Sequence, residues 1–367
     1  MKLTRLNLTN FRNFNEYELE PSEKFNLITA NNGCGKTSLL EAIYLLGMGR
    51  SFRSHTNQPI IQYQKDFCRT VGEFSSPSNQ GLKQQANLLQ KADSFIIGIE
   101  KHTDSTKSIV RVDGQDAKNI AELAQRIPIQ LIHHETFHLL DAGPQHRREF
   151  LDWGVFYSEP LYFNAWQRFQ RALKQRNALL KNMDTAQLDF WEHELASQGK
   201  NIDQYRRMYL TLLLPLISEI LAPLGLASNL SLQYVPGWDN QRDYLKLLQQ
   251  SRQRDAIFGH TQYGPHRADI KIKIQQYDAD HILSRGQQKM FSFAMRVAQA
   301  RLLSQLSQQQ AIFLIDDLAA ELDSSYIETS LSILDNLPCQ VFITSIHSQL
   351  FNQALDKYSI KLFHVEQ

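Results

Sequence analysis

FNLITANNGCGKTS, residues 25–38, is the stretch that decides the fold of this chain. Its first five residues, Phe25–Thr29, form an apolar run that predicts a short buried strand. After a small-residue loop, apolar residues recur at helical spacing as far as Leu46, and Gly47 or Gly49 is expected to end this helix. This order predicts a phosphate-binding loop of the P-loop kind, because loop N–H groups and the positive end of the helix face the same anion.

The residue types within the loop indicate how a nucleotide is held. Lys36 is expected to reach the β- and γ-phosphates, and Thr37 to offer its hydroxyl to Mg²⁺. Ala30 stands where such loops usually have their first glycine. For Cys34 we expect a backbone role, with a redox-sensitive thiol at a helix N-terminus as the alternative. The predicted nucleotide contacts in this loop are Ala30, Asn31, Asn32, Gly33, Cys34, Gly35, Lys36 and Thr37.

Two adjacent acids follow another apolar run, Ile312–Ile315. A buried strand here delivers Asp316 beside the loop, where it can hold Mg²⁺ through water, and places Asp317 to orient or deprotonate an attacking water. Because Asp is shorter than the Glu found here in many ATPases of the ABC class, we expect slow hydrolysis. His347 follows a predicted strand and is a candidate γ-phosphate sensor, with a solvated loop histidine as the alternative. The candidate catalytic residues are therefore Lys36, Asp317 and His347.

A serine-containing motif, residues 283–289 with the sequence LSRGQQK, precedes an amphipathic helix. Taken alone, Ser284 is a helix N-cap. The motif also resembles the signature of ABC ATPases, which holds the γ-phosphate of ATP bound to another subunit. By this resemblance, the residues expected to contact that phosphate are Ser284, Gly286 and Gln287. Such a motif predicts a head-to-tail dimer with ATP between two copies, ATP and Mg²⁺ being the cofactors. Residues 320–323, AELD, resemble the loop that crosses this interface.

Composition restricts the class of protein. The chain has 367 residues, of which 42% are hydrophobic and 21% charged, which excludes a mainly disordered or fibrous protein. Lys+Arg 39 against Asp+Glu 38 gives a net charge of +1, so any nucleic-acid site has to be a local patch. Three scattered cysteines and the absence of an apolar leader favour a cytoplasmic protein. The apolar stretch 210–221 is too short for a membrane span, so no membrane partner is expected.

The pattern along the chain predicts an α/β protein interrupted by helices. Residues 94–112 favour a β-hairpin, and residues 75–92 favour an exposed loop. Two long helical segments, Tyr162–Lys181 and Leu188–Leu221, predict an antiparallel helical pair. The expected organisation is an ABC-type P-loop ATPase head with a mixed sheet and an inserted helical lobe that carries a short arm. Its parts are an N-terminal part of the head at 1–139, the insertion at 140–258 and a C-terminal part of the head at 259–367.

Several blocks outside the phosphate loop resemble the RecF family of SMC-type ATPases. They are residues 8–14 (LTNFRNF), 32–38, 49–53 (GRSFR), 143–152 (GPQHRREFLD), 263–269 (YGPHRAD), 283–287, 315–317 and 321–323. The resemblance implies an ATP-dependent dimer on DNA, weak DNA-stimulated ATP hydrolysis and work with RecO and RecR. It also implies that these proteins together direct RecA onto gapped DNA, in recombinational repair and the SOS response. Arg12 matches the arginine that contacts nucleotide in related heads.

Basic residues of the insertion are the first candidates for contact with single- or double-stranded DNA. No acid lies between Glu159 and Asp184, while the same stretch has the five cations Arg168, Arg171, Lys174, Arg176 and Lys181. On a helical wheel, Arg168 and Arg171 lie opposite the apolar face, Lys174 and Lys181 lie on one flank, and Arg176 lies nearer the apolar edge. A basic stripe away from the packed face suits phosphate contacts, and Arg168, Arg171 and Lys174 are the candidates. A solvated helix face paired to acids is the alternative.

Arg50 and Arg53 form a second candidate patch for DNA. They follow the predicted helix of the phosphate loop directly.

A nucleotide-binding subunit of an ABC transporter, or another P-loop ATPase, is the alternative function. The long span between Lys36 and Ser284 and the lack of a membrane segment count against transport.

Overall fold

This computed structural model describes residues 1–31, 33–54, 56–75, 94–105, 108–117, 120–183 and 186–365. The chain divides into two compact units, of which the first is Met1–Thr136 with Gln308–Gln367 and the second is Phe137–Ser307. The sequence-based division assigned residues 259–307 to the head, whereas in the structure they pack within the second unit.

Strands and helices alternate in the first unit, and helices dominate the second. In chain order the strands are β1 Lys2–Phe11, β2 Phe14–Leu19, β3 Phe25–Thr29, β4 Phe67–Ser75, β5 Ser94–His102, β6 Ile109–Val112, β7 Gln115–Asp116, β8 Ile129–Ile132, β9 Leu230–Val235, β10 Asp269–Ile274, β11 Tyr277–Asp278, β12 Ile312–Ile315, β13 Gln340–Ser345 and β14 Lys361–His364. The helices are α1 Lys36–Met48, α2 Ile120–Arg126, α3 Pro144–Ser158, α4 Tyr162–Lys181, α5 Leu188–Leu221, α6 Tyr244–Gln250, α7 Arg252–Phe258, α8 Ala279–Ile282, α9 Arg285–Ser307, α10 Leu318–Glu321, α11 Ser324–Asp335 and α12 Asn352–Lys357.

A parallel sheet of the first unit positions the site. Its strand order is β14-β3-β13-β12-β8, so β3 and β12 are separated by one strand, β13. Every residue of β3, β12 and β13 is buried, in keeping with the apolar run of β12 and the apolar centres of β3 and β13. The predictions of Phe25–Thr29 and Ile312–Ile315 as strands are confirmed to the residue. Because the strands are parallel, the segments that follow β3, β12 and β13 all emerge at one edge of the sheet.

An antiparallel sheet forms the other layer of the first unit, with strand order β2-β1-β4-β5-β6-β7. The predicted hairpin is confirmed, since β5 pairs with β6. The loop predicted at 75–92 lies almost entirely in residues 76–93, outside the described residues. Helix α1 contacts strands of both sheets, and its residues Leu39, Leu40 and Ile43 are fully buried in the shared core. The helix ends at Gly49, whose φ of 64° glycine adopts without strain.

Helices α4 and α5 of the second unit pack against each other as the predicted pair, with both boundaries as expected from the sequence. By length and composition alone, the segment Leu188–Leu224 is apolar enough to cross a membrane. Along α5, Leu213, Ile217 and Leu221 are fully buried within the protein, while Met208 and Leu212 are exposed. One helix of this kind is weak evidence for a membrane span.

Arg176 of α4, which the helical wheel puts nearer the apolar edge than the other cations, lies in the interior of the second unit. Its guanidinium is fully buried and is bonded to Glu192 at 3.0 Å and to Asp255 at 2.7 Å. It also donates to the hydroxyl of Thr261 and to the carbonyl of Leu248. The acids come from α5 and α7, so a helical wheel of α4 alone cannot reveal them.

Replacement of Arg176 by Gln should destabilise the second unit by at least about 3 kcal/mol, because the buried carboxylate of Asp255 loses its counter-charge and that of Glu192 keeps only Arg252. Lys174→Gln, a change two residues earlier on the exposed side of α4, is the matched control and should alter stability by less than about 0.5 kcal/mol. Urea unfolding followed by circular dichroism measures both. Equal stability of the two variants would contradict a structural role for Arg176.

Candidate nucleotide-binding site

The loop after β3 has the backbone that its glycines predict. Gly33 and Gly35 have φ of 84° and 101°, in the left-handed region that other residues adopt at a cost. A Cβ atom on Gly35 would lie 2.7 Å from the side-chain amide of Asn13, so the position also has no room for one. Asn13, in the turn between β1 and β2, donates a 3.0 Å hydrogen bond to the carbonyl of Cys34. Asn32 lies outside the described residues.

Lys36, the first residue of α1, folds back over the loop. Its Nζ donates to the carbonyl oxygens of Ala30 and Asn31 at 2.7 and 3.0 Å. The side chain is largely buried, so the ammonium is held at the loop that it was predicted to serve. A phosphate bound by the loop N–H groups would therefore meet a fixed positive charge.

The Asp316 carboxylate joins three segments at the edge of the parallel sheet. Its oxygens accept hydrogen bonds from the hydroxyl of Thr37 at 3.0 and 3.2 Å and from the hydroxyl of Thr344 at 2.7 Å. The sequence predicted Thr37 beside Asp316, but it gave no indication of Thr344, at the end of β13. A hydroxyl and a carboxylate in contact offer the hard oxygen ligands that Mg²⁺ prefers. The residues present therefore fit the predicted ion.

Asp317 has an unusual backbone and an unpaired oxygen. Its φ is 50°, and its N–H donates to Thr344 Oγ1 at 2.8 Å. Within the part of the chain that the structure describes, its buried Oδ1 has no hydrogen-bond partner. Burial raises the pKa of Asp317 above its ordinary value, and the Asp316 carboxylate acts in the same direction, while Lys36 and His347 oppose them. A partly buried carboxylate with a free oxygen and a raised pKa has the properties of a general base.

His347 and Glu321 surround the same edge of the sheet. The backbone N–H of His347 donates a hydrogen bond to Ser345 Oγ at 3.0 Å. His347 is exposed, and it lies close enough to Asp317 to lower the pKa of that carboxyl group. Glu321, at the end of α10, is paired at 2.8 Å with His134, which follows β8. No group of three or more His, Cys, Asp and Glu side chains that could hold a metal occurs in the described ranges.

Arg12 was predicted to contact nucleotide, and Arg53 was predicted to contact DNA. Both lie against one carboxylate that the sequence analysis missed. Glu41 of α1 is fully buried and pairs with Arg12 at 2.6 Å and with Arg53 at 3.6 Å. Arg50 is exposed at the end of the same helix. The sequence offered one indication of this cluster, which is an acidic residue within the otherwise apolar pattern of α1. The predicted contacts of both arginines stay predictions.

The signature motif belongs to the second unit and forms a helix cap. Ser284 Oγ accepts a 3.3 Å hydrogen bond from the N–H of Gln287, whose side chain accepts a 2.9 Å bond from the N–H of Ser284. This reciprocal pair is a capping box at the start of the 23-residue helix α9. Ser284 is exposed and Gly286 is half-buried, so the helix N-terminus faces outward from its own unit.

The basic residues of α4 that are candidates for DNA binding differ in whether their side chains are paired with other groups. Arg168 forms a two-pronged bond with Glu194 at 2.6 and 2.9 Å, and Arg171 lies 5.6 Å from the ring centre of Trp191. Lys174 is exposed. The alternative of a face paired to acids therefore holds for Arg168.

A phosphate loop, a threonine on the carboxylate of Asp316 and a second acid beyond it, all at one edge of a parallel sheet, define the site of a P-loop ATPase head of the ABC class. The family model of the RecF/RecN/SMC N-terminal domain matches residues 2–367. A DNA replication and repair protein RecF from Pseudomonas aeruginosa (strain LESB58) is 42% identical over 369 residues, which cover 100% of this chain and 96% of the relative. This chain belongs to the RecF family.

Two solved structures of the recombination mediator protein RecF in the RecFOR pathway have the same fold. The one with ATPrS has a TM-score of 0.82 at 25% identity and covers 99% of this chain and 96% of its own. The one with ATP has a TM-score of 0.80 at 26% identity, with 94% and 92% covered. The predicted fold class and the resemblance to this family are therefore confirmed.

Asp317→Asn should lower the turnover of ATP by at least about a hundredfold and leave ATP affinity within a few-fold, because the amide cannot accept a proton from water. Asp335→Asn, at the exposed end of α11, is the matched control. Phosphate release and binding of a fluorescent ATP analogue separate the two quantities. Hydrolysis at the wild-type rate by Asp317→Asn would exclude Asp317 as the base.

Proposed function

We propose that this protein is an ATP-dependent DNA-binding protein of recombinational repair, acting in the cytoplasm. The observation that carries the proposal is the cluster of Lys36, Thr37, Asp316 and Asp317 at one sheet edge, in a chain of the RecF family. The related structure with ATP supports ATP as the nucleotide. In keeping with the family resemblance, the protein acts with RecO and RecR to promote RecA loading at single-strand gaps and SOS induction.

The chemistry of the site is weak ATP hydrolysis. Lys36 and the loop N–H groups bind the phosphates, and Asp317 orients and deprotonates the attacking water. Thr37 and Asp316 would hold Mg²⁺, which neutralises phosphate charge when bound. His347 senses the γ-phosphate. Because the carboxylate of Asp317 is one methylene shorter than a Glu, it reaches less far towards that water, and turnover is slow.

ATP joins two copies of the chain head to tail. Each copy contributes its Ser284 capping box, in which Gly286 and Gln287 open helix α9, to the nucleotide in the other copy. An exposed serine at the positive N-terminus of a long helix is suited to a γ-phosphate. The second copy is needed because the signature motif of ABC ATPases, which this motif resembles, acts on ATP bound to another subunit.

Gel filtration should show a monomer without nucleotide and a dimer with ATP when Asp317→Asn prevents hydrolysis. Adding Ser284→Arg should abolish the dimer, because a long cation replaces the hydroxyl at the phosphate, while leaving ATP binding to the monomer intact. Ser307→Arg, at the opposite end of α9, is the matched control. A wild-type chain that stays monomeric at saturating ATP would contradict the head-to-tail dimer.

DNA binding should depend on both ATP and salt, with the arm supplying phosphate contacts through Arg168, Arg171 and Lys174. Replacing all three by Gln should weaken binding and reduce the slope of log affinity against log salt by about 2–3. Glu194→Gln, which releases Arg168, should strengthen binding. Fluorescence anisotropy with gapped, single-stranded and duplex DNA measures these effects. Affinity that is indifferent to the triple change would remove the arm from the DNA site and leave Arg50 and Arg53 as candidates.

A further inference from the structure

Two aromatic side chains lie together near the start of α5. Phe190 is 64% exposed, and the centre of its ring lies 5.0 Å from that of Trp191, at an interplanar angle of 80°. Trp191 is half-buried, whereas Phe190 projects into solvent. A large aromatic ring in water gains free energy when another flat apolar surface covers it. Neither the ATP site nor the phosphate contacts proposed for DNA give this pair a task.

Basic residues of α4 lie beside this aromatic pair. The guanidinium carbon of Arg171 is 5.6 Å from the centre of the Trp191 ring, within the range of a cation–π contact. About one helical turn earlier in α4, Arg168 bonds to Glu194 of α5. Because Glu194 follows Phe190 by four residues, the two side chains lie on the same side of α5. The aromatic pair is therefore continuous with the basic residues of α4.

The acids beside the aromatic pair are balanced by arginines. Asp189 bonds to Arg252 of α7, and Glu194 bonds to Arg168 at 2.6 Å. Glu192, between them in sequence, is fully buried and lies 2.6 Å from Arg252. None of these three carboxylates therefore carries an unbalanced charge that would repel a phosphate backbone. The charges around the rings suit an anionic partner.

An exposed ring next to cations matches the chemistry of single-stranded nucleic acid, whose bases stack on aromatic side chains while its phosphates meet basic ones. Within a duplex the faces of the bases are already covered by their neighbours. We propose that Phe190 is a stacking platform for an unpaired base of single-stranded DNA, with Trp191 packed against its ring and Arg171 placed to meet a phosphate. The platform distinguishes the single-stranded part of a gapped substrate from its duplex part. This inference rests on the proposed function, since it needs DNA on the basic residues of α4.

Fluorescence anisotropy with variants of Phe190 tests the platform. With ATP present, Phe190→Ala should weaken binding of a single-stranded oligonucleotide about five- to thirtyfold and leave binding of a duplex of the same length within about twofold of the wild-type value. Phe190→Tyr keeps the flat ring and should bind the single strand within about twofold of the wild-type chain. Leu161→Ala is the matched control, because Leu161 is also 64% exposed, and it should change neither affinity. Circular dichroism checks that each variant is folded.

Two further measurements separate stacking from charge. An abasic oligonucleotide of the same length keeps the phosphates and lacks the bases, so the wild-type chain and Phe190→Ala should bind it equally well. The slope of log affinity against log salt for the single strand should be the same for both proteins, because the change removes no phosphate contact.

Three results would overturn the platform. One is wild-type affinity of Phe190→Ala for the single strand, and another is a loss of affinity that is equal for duplex DNA or persists with the abasic strand. The third is loss of the ATP-dependent dimer of Phe190→Ala on gel filtration, which would make this face a contact between copies of the chain. A wild-type chain that binds no DNA would instead overturn the proposed function.

Discussion

The carboxylate of Asp316 is the contact on which the arrangement of the site depends. It receives Thr37 from the start of α1 and Thr344 from the end of β13, so it fixes the helix after the loop against two strands of the parallel sheet. The hydroxyl oxygen of Thr344 also accepts a hydrogen bond from the N–H of Asp317, whose backbone is left-handed. One polar contact at the rim of an apolar sheet thus orders the loop, the ion ligands and the candidate base.

Two kinds of sequence pattern predicted the fold well, because each has a single physical cause. Strands buried on both faces are short apolar runs, and this fixed the bounds of β3 and β12. Long segments of 3.6-residue periodicity without proline at their centres fixed α4 and α5. The unit within which residues 259–307 pack depends on which helices α9 contacts rather than on any local pattern, and the predicted division into head and insertion stays a prediction.

Within the site, the residues that belong to local motifs were predictable and those joined across the chain were not. Lys36, Thr37 and Asp316 converge as expected. Glu41 was missed because it is a charge inside a helical pattern whose partners come from distant segments, and for the same reason the acids that pair with Arg176 were not foreseen. A helical wheel shows which side of a helix is polar but not whether another helix covers it. The dimer and the DNA contacts concern other molecules and stay predictions.

The division into two units has a spectroscopic consequence. The chain has four tryptophans, at positions 153, 166, 191 and 238, and all lie between Phe137 and Ser307. Indole emission therefore reports the helical unit alone, while the unit that bears the phosphate loop is silent at wavelengths that excite only indole. Loss of order in one half can thus be told from loss in the other without any added label.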